Sequence, residues 1–179
     1  MQKYKNFPYM SLVKPKKFLG QHFLTDLSIA RRIADTVDAC PDLPVLEVGP
    51  GMGVMTQYLM QKPRPLKVVE LDSESVDYLR RTYPDFEDNI IADDFLKMHL
   101  DRTFEGGQFV LTGNYPYNIS SQIFFKMLDN RELIPCCTGM IQKEVAERFV
   151  AKPNTKDYNA LSVLIQYFTN AEKLFDVSP

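Results

Sequence analysis

The chain reads as an α/β protein, a Rossmann-like, mostly parallel sheet with helices on both faces and ligands bound outside the carboxyl ends of its strands. Three observations predict this. Short apolar runs alternate with amphipathic stretches from Leu27 onward. The run Val45-Leu46-Glu47-Val48 breaks into closely spaced glycines and resumes as Met55-Thr56-Gln57-Tyr58-Leu59, which is strand, tight turn, helix. Finally, Glu47 to Gly53, Glu70, Asp93 and Asn114 all fall where strand-like runs end.

In chain order, Leu27, Ile29, Ala30, Ile33, Ala34 and Val37 are spaced as the buried stripe of a helix, with Thr25 or Asp26 as its cap. Strand-like runs follow at 44–48, 66–70, 89–92, 108–113 and 134–141, and a further one is expected at 172–177. Helix-like segments lie between them, near 53–61, 74–82, 120–129, 142–151 and 159–168. Lys152 to Asp157 is a polar loop, and no internal repeat or low-complexity tract interrupts the pattern.

At 179 residues, 45% hydrophobic and 25% charged, the chain fits one domain able to bury its own core. No run approaches the roughly 18 apolar residues of a membrane span, and Met1-Gln2-Lys3-Tyr4-Lys5 lacks the apolar stretch of a signal peptide. A cytoplasmic location is expected. Cys40, Cys136 and Cys137 are odd in number and without metal-ligand spacing, so buried free thiols are expected. His22 and His99 are far apart, and no catalytic metal is expected. A net charge of −2 gives no support to nucleic-acid binding, but its distribution does. From Met1 to Thr25 there are five lysines (Lys3, Lys5, Lys14, Lys16, Lys17) and no acidic residue, an arm suited to RNA phosphates. A solvated tail is the plain alternative.

The glycine turn narrows the chemistry. A dinucleotide fingerprint would need glycine at 54, where the chain has Val54, and the P-loop ending is absent, so hydride transfer and NTP hydrolysis lose ground. What remains is Gly49, Gly51 and Gly53, then a second strand ending in Glu70, whose carboxylate suits both ribose hydroxyls of S-adenosylmethionine. The helix after the turn is expected to present unpaired N–H groups at its start. A third strand end, Ile91-Ala92-Asp93-Asp94, offers a carboxylate to the amino group of the cofactor adenine. Asp93 is the candidate and Asp94 the rival, and either also suits a helix cap.

Asn114-Tyr115-Pro116-Tyr117, after Phe109-Val110-Leu111, places an amide, a turn and an aromatic ring at a fourth strand end. The Asn114 side-chain oxygen and the Tyr115 carbonyl suit the hydrogens of an exocyclic adenine amine, favouring a pyramidal nitrogen without a strong base. Pro116 fixes its own φ and biases Tyr115 towards an extended backbone. Tyr117 would stack on the extruded base. The competing reading is an ordinary turn with a surface tyrosine.

These residues, in this order, resemble the KsgA family of ribosomal RNA small-subunit adenine dimethyltransferases, a branch of the class I S-adenosylmethionine-dependent methyltransferases, from about Lys16 onward. Lys16-Lys17-Phe18-Leu19-Gly20-Gln21-His22-Phe23-Leu24 is similar to the motif that covers the cofactor. The resemblance implies that Gln21, His22 and Leu24 touch it, although the family more often has Asn at the position of His22. Leu46 to Gly53 resembles the cofactor loop, Glu70 with Leu71 the ribose site, and Asp93 the adenine ligand. Asn114 to Tyr117 departs from the family's Asn-Leu-Pro-Tyr only at Tyr115. The macrolide-resistance methyltransferases of large-subunit RNA share the glycine loop, but Gln142 to Val163 looks far more like the small-subunit enzymes, with Asn154 and Asn159 where glycine is usual. Asparagine tolerates the left-handed backbone expected there.

By that resemblance the protein moves two methyls from S-adenosylmethionine onto each of two adjacent adenines near the 3′ end of 16S rRNA in the assembling small subunit, releasing S-adenosylhomocysteine and using no metal. Lys14, Lys16 and Lys17 become candidate RNA contacts, and a monomer away from membranes is expected. Residues 1–25 are then the basic arm and cofactor cover and 26–179 the catalytic domain. The family's carboxyl-terminal helical domain is expected to be absent, the chain stopping at Pro179. The alternatives are a large-subunit or DNA adenine methyltransferase, and a non-catalytic RNA-binding assembly or transcription factor on the same fold.

Overall fold

Val45–Val48 forms β1, and all four of its residues are buried. A strand hidden on both faces needs cover on both, and the alternation of its side chains decides which layer each one meets. In the computed structural model, which describes residues 24–177, β1 pairs in parallel with β2 (Leu66–Glu70) on one side and β4 (Val110–Thr112) on the other. With β3 (Ile90–Ala92) and β5 (Cys136–Cys137) the sheet has the order β3-β2-β1-β4-β5, every pair parallel. The chain steps outward from β1 to β3, then crosses back to β4. The order therefore reverses between β1 and β4, and the loops leaving those two strands part there.

Val45, Val68, Ile90 and Val110 point to one face, against Ile33 and Ala34 of α1 (Leu27–Asp35), Leu59 of α2 (Thr56–Leu59) and Val76 and Leu79 of α3 (Ser73–Thr82). Leu46, Val69 and Leu111 point to the other, against Ile123 and Phe124 of α4 (Ser120–Asp129), Val145 and Phe149 of α5 (Lys143–Phe149) and Ile165 of α6 (Ala160–Phe168). This is the three-layer arrangement that the alternation of the sequence predicts. No helix among the described residues is long and apolar enough to cross a membrane.

Local chemistry sets the helix ends. Asp26, not Thr25, caps α1: its carboxylate accepts the Ser28 N–H at 2.8 Å and the Ser28 hydroxyl at 2.6 Å. Asn159 caps α6, its side chain accepting from the N–H groups of Leu161 and Ser162 while the Ser162 hydroxyl accepts from the Asn159 N–H. Of the two asparagines expected in left-handed backbone, Asn154 is there with φ +67°, whereas Asn159 has φ −147° because a capping residue must be extended.

Three other expectations are corrected. The helix near 53–61 shrinks to the four residues of α2, since Gly49, Gly51 and Gly53 have φ of +68°, +55° and +76° and the chain stays in turns through Met55. Residues 172–177 form no strand. The Lys173 ammonium meets the Asp176 carboxylate at 2.8 Å, a pairing across three residues that alternating strand side chains do not allow. Phe175 is held instead under the Arg32 guanidinium of α1, 3.7 Å from the ring centroid. Nor are all three thiols free. Cys40 and Cys136, 96 residues apart, form a disulfide that ties the segment after α1 to β5, and Cys137 alone remains a thiol. The hydroxyls of Thr36 and Thr138 meet across the same junction.

Beyond β4 and β5 the chain segments run so close that residue 139 has no room for a side chain. A Cβ on Gly139, whose φ is +137°, would fall on the Gly113 carbonyl oxygen and 2.7 Å from the Tyr115 ring. Gly139→Ala is expected to lower the unfolding free energy by about 2 kcal/mol or more, read from the denaturant midpoint.

Candidate active site

A cavity of about 260 Å³ opens where the chain order reverses, walled by the carboxyl ends of β1 to β4. Each strand delivers part of it: Glu47 and the turn through Gly49 and Gly51 after β1, Glu70 and Leu71 at β2, Asp93 and Asp94 at β3, Asn114 and Pro116 at β4. Leu24 closes one side from ahead of α1. A Cβ on Gly49 would lie 3.6 Å from the Pro116 ring, so a side chain there would reach across the gap between the β1 and β4 turns. Gly53 faces elsewhere. Its missing side chain makes room for Leu79 of α3 and for Tyr83, and a Cβ there would lie 2.9 Å from the Tyr83 ring. Gln21, His22, Lys14, Lys16 and Lys17 lie outside the described residues.

Glu70 is buried and holds the turn in place. One carboxylate oxygen accepts the Gly51 N–H at 3.0 Å and the other the Asp72 N–H at 2.9 Å. The Leu71 N–H is also directed at this carboxylate, and the lone-pair directions left over face a ligand hydroxyl. Burial raises the Glu70 carboxyl above its ordinary range, and these backbone N–H groups oppose the rise. The same bonds correct the expectation of a helix N-terminus aimed at the ligand. The Gly51 amide is taken by Glu70, the Gly53 amide donates to the Pro50 carbonyl at 2.9 Å, and α2 is only one turn long. The loop gives a ligand its shape rather than an anion cradle.

At β3 the two aspartates have different surroundings. Asp94 accepts the Leu96 N–H at 2.9 Å and pairs with the Lys97 ammonium at 3.3 Å, the bonding of a turn cap. Asp93 is exposed and its carboxylate accepts the Asp94 N–H at 2.7 Å. Lys126 of α4 fixes this turn from behind, donating to the carbonyls of Leu96 at 3.0 Å and Met98 at 2.7 Å. Burial lowers its ammonium, opposed by the charges of Asp94 and Asp93.

Asn114 sits in a continuation of the sheet, bridged in parallel to Met140. The Met140 N–H donates to the Gly113 carbonyl at 2.9 Å and the Tyr115 N–H to the Met140 carbonyl at 3.0 Å, so Asn114 stands on ladder rather than on free loop. The Tyr115 ring is buried, its hydroxyl donating to the Thr138 carbonyl at 2.8 Å and lying 3.2 Å from the Cys137 sulfur. Burial keeps both groups neutral, raising the Tyr115 phenol well above its ordinary value and the Cys137 thiol to about 12. Edge-to-face contacts then run from Tyr115 to Phe124, at 5.4 Å, and on to Phe149, at 4.7 Å. Tyr117 is half-buried and is not part of the cavity wall.

Glu47 was legible only as a strand end. It is 1% exposed, lines the cavity and accepts the Thr56 hydroxyl at 2.7 Å. Burial pushes its carboxyl up to about 8, opposed by the Thr56 bond and assisted by the nearby charge of Glu70. Phe95, Leu96, Asn118 and Ile119 also line the cavity, and none carries a sequence signal beyond its place beside Asp94 or Tyr117. Four carboxyl side chains thus face this space, and among the described residues no lysine, arginine or histidine lines it. Such a site favours a cationic ligand over a phosphate.

A family model, ribosomal RNA adenine dimethylase, matches residues 13–179. The ribosomal RNA small subunit methyltransferase A of Phocaeicola vulgatus is 73% identical over 168 residues, covering 94% of this chain and 60% of its own length. The protein of the same name from Porphyromonas gingivalis is 59% identical over 169 residues, covering 94% and 66%. The chain therefore spans less than two thirds of the length of these curated relatives. Among solved structures, a dimethyladenosine transferase from Plasmodium falciparum superposes with a TM-score of 0.63 at 28% identity, over 81% of this chain and 52% of its own. The 23S rRNA methyltransferase ErmE gives 0.58 at 33% identity, over 71% and 50%.

The Glu47 carboxyl has a stability consequence whose sign is fixed. With a folded value near 8 against an ordinary 4.5, the folded state holds the extra proton between those limits, so the unfolding free energy falls as pH rises through that window and is flat above it. The difference between the wild-type chain and Glu47→Gln is expected to change with a slope approaching about 1.4 kcal/mol per pH unit, to the wild type's disadvantage, in denaturant titrations between pH 5 and 8.

Proposed function

This chain belongs to the ribosomal RNA adenine dimethylase family, and from that premise we propose that it moves methyl groups from S-adenosylmethionine to the exocyclic N6 of two adjacent adenines near the 3′ end of 16S rRNA, in the assembling small subunit. The observation that carries the reading is the cavity itself: four strand ends place Glu70, Asp93, Asn114 and the glycine turn around one space whose charged lining is acidic. The acceptor directions left on Glu70 fit a ribose hydroxyl, Asp93 fits an adenine amino group, and Phe95 with Leu96 offers apolar wall to a ring. The acidic lining fits a sulfonium cofactor and disfavours a nucleoside phosphate. Bound there, S-adenosylmethionine supplies an electrophilic methyl carbon on a positively charged sulfur.

The remaining work belongs to the chain. Asn114 holds the target amine through its side-chain oxygen, joined by the Tyr115 carbonyl, and both are fixed dipoles because Tyr115 is rooted in the core. Pro116 keeps the turn extended and Tyr117 takes the face of the extruded base. Orientation of two bound reactants supplies most of the rate, and no strong general base is required. In this reading Gln21, His22, Leu24, Gly49, Gly51 and Leu71 complete the cofactor site, while Lys14, Lys16 and Lys17 meet RNA phosphates. Residues 26–179 act as the catalytic domain of a monomeric, cytoplasmic enzyme. Small-subunit RNA is preferred because the curated relatives at 59% and 73% identity carry that name. Large-subunit RNA is the second reading, favoured by the likeness to ErmE.

The test is transfer of labelled methyl from S-adenosylmethionine to small-subunit particles lacking the modification, with large-subunit RNA and DNA in parallel, followed by nucleoside analysis. Dimethyladenosine from the small subunit is the expected result, and label confined to large-subunit RNA would move the assignment to the second reading. Asn114→Ala is expected to lower the rate by about 10²- to 10³-fold in the same assay. A variant that methylates at the parent rate would remove Asn114 from the mechanism.

A further inference from the structure

Glu47 is a carboxyl that packing alone does not call for. Alternation along β1 sends its side chain to the α2 face, where an apolar residue would bury at no electrostatic cost, yet it is 1% exposed with the Thr56 hydroxyl as its hydrogen-bond donor at 2.7 Å. Beside it in the ladder stands Thr112 of β4, whose buried hydroxyl has no hydrogen-bond partner among the described residues. The charged groups around it are largely of one sign: Glu70 from β2, Asp93 and Asp94 after β3, and only beyond that turn the Lys126 ammonium of α4, which is engaged with backbone carbonyls. The strand β4 adds uncharged Thr112 and Asn114, and α2 adds uncharged Thr56.

We propose that Glu47 lets the cavity distinguish the sulfonium cofactor from its thioether product by charge, carrying a proton when the cavity is empty or holds product and releasing it when cofactor enters. This rests on the S-adenosylmethionine reading above. Burial and the neighbouring Glu70 keep Glu47 neutral at pH 7 in the empty protein, with its titration near 8. Cofactor and product share the adenosine, the amino group and the carboxylate, and differ by one methyl and one positive charge at sulfur. The sulfonium also lowers the cofactor's own ammonium, so the part of the pH dependence that belongs to Glu47 is the part lost in Glu47→Gln. Below about 8 cofactor must displace a proton and product need not, so the preference for cofactor grows as pH rises, by up to about tenfold per pH unit, and levels off once Glu47 is ionised in the empty protein.

The experiment is calorimetric titration of the 179-residue chain with S-adenosylmethionine and, separately, S-adenosylhomocysteine, from pH 6 to 9 in two buffers of different ionisation enthalpy. Expected are release of most of one proton per cofactor at pH 7, almost none per product, and a ratio of product to cofactor Kd that climbs at least tenfold between pH 6 and 8. Glu47→Gln, which keeps an oxygen for Thr56, flattens that climb. Thr56→Val, which removes the donor that favours the ionised form, shifts it to higher pH. Parallel pH profiles for the two ligands, or a climb that survives in Glu47→Gln, would overturn the inference and leave the methyl-donor reading standing. Failure of both ligands to bind at any pH would sink the two together.

Discussion

The parallel pairing of β1 with both β2 and β4 is the constraint from which the site follows. Parallel neighbours cannot be joined by a tight turn, so every connection is a crossover that needs a helical layer, and the two layers hide both faces of β1. Because β2 lies to one side and β4 to the other, the turns that leave β1 and β4 diverge and leave a crevice between them. Everything with chemical function then appears at one rim of the sheet. Glu47 and Asn114 are 67 positions apart in the chain, with Glu70 and Asp93 between them, and all four meet in one cavity because their strands point the same way.

Rigidity around that crevice is uneven, and the unevenness suits its parts. Asn114 stands on a ladder extended to Met140 and is braced from below by Tyr115, Phe124 and Phe149, so a group that must present an acceptor at a fixed angle is backed by dense core. The turn carrying Asp93 and Asp94 is instead held by Lys126 through two backbone carbonyls, a clasp made of hydrogen bonds. The glycine loop is secured by a third device, the Glu70 carboxylate.

What could be read from the residues was what short-range pattern controls. Alternating apolar runs gave β1 to β4 almost to their ends, and strand ends gave Glu70, Asp93 and Asn114, because period and position in a parallel sheet are local properties. What escaped depends on through-space partners. The Cys40–Cys136 bond joins segments brought together only by the sheet order. Phe175 leaves the strand pattern because Arg32 of α1 offers it a cation. Glu47 lay in plain view inside the glycine motif, but its burial, its Thr56 donor and its proximity to Glu70 are facts of packing that spacing does not encode.

The double engagement of Glu70 makes the usual isosteric swap at this position anything but neutral. A glutamine keeps one acceptor oxygen and turns the other into a nitrogen that can only donate. The two backbone amides of Gly51 and Asp72 both require acceptors, on opposite sides of the carboxylate. Whichever way the amide is turned, one N–H would confront another donor, and either the glycine loop or the start of α3 would lose its anchor before any ligand arrived. The carboxylate is thus a piece of scaffolding as much as a contact, and its chemistry is fixed from two directions at once.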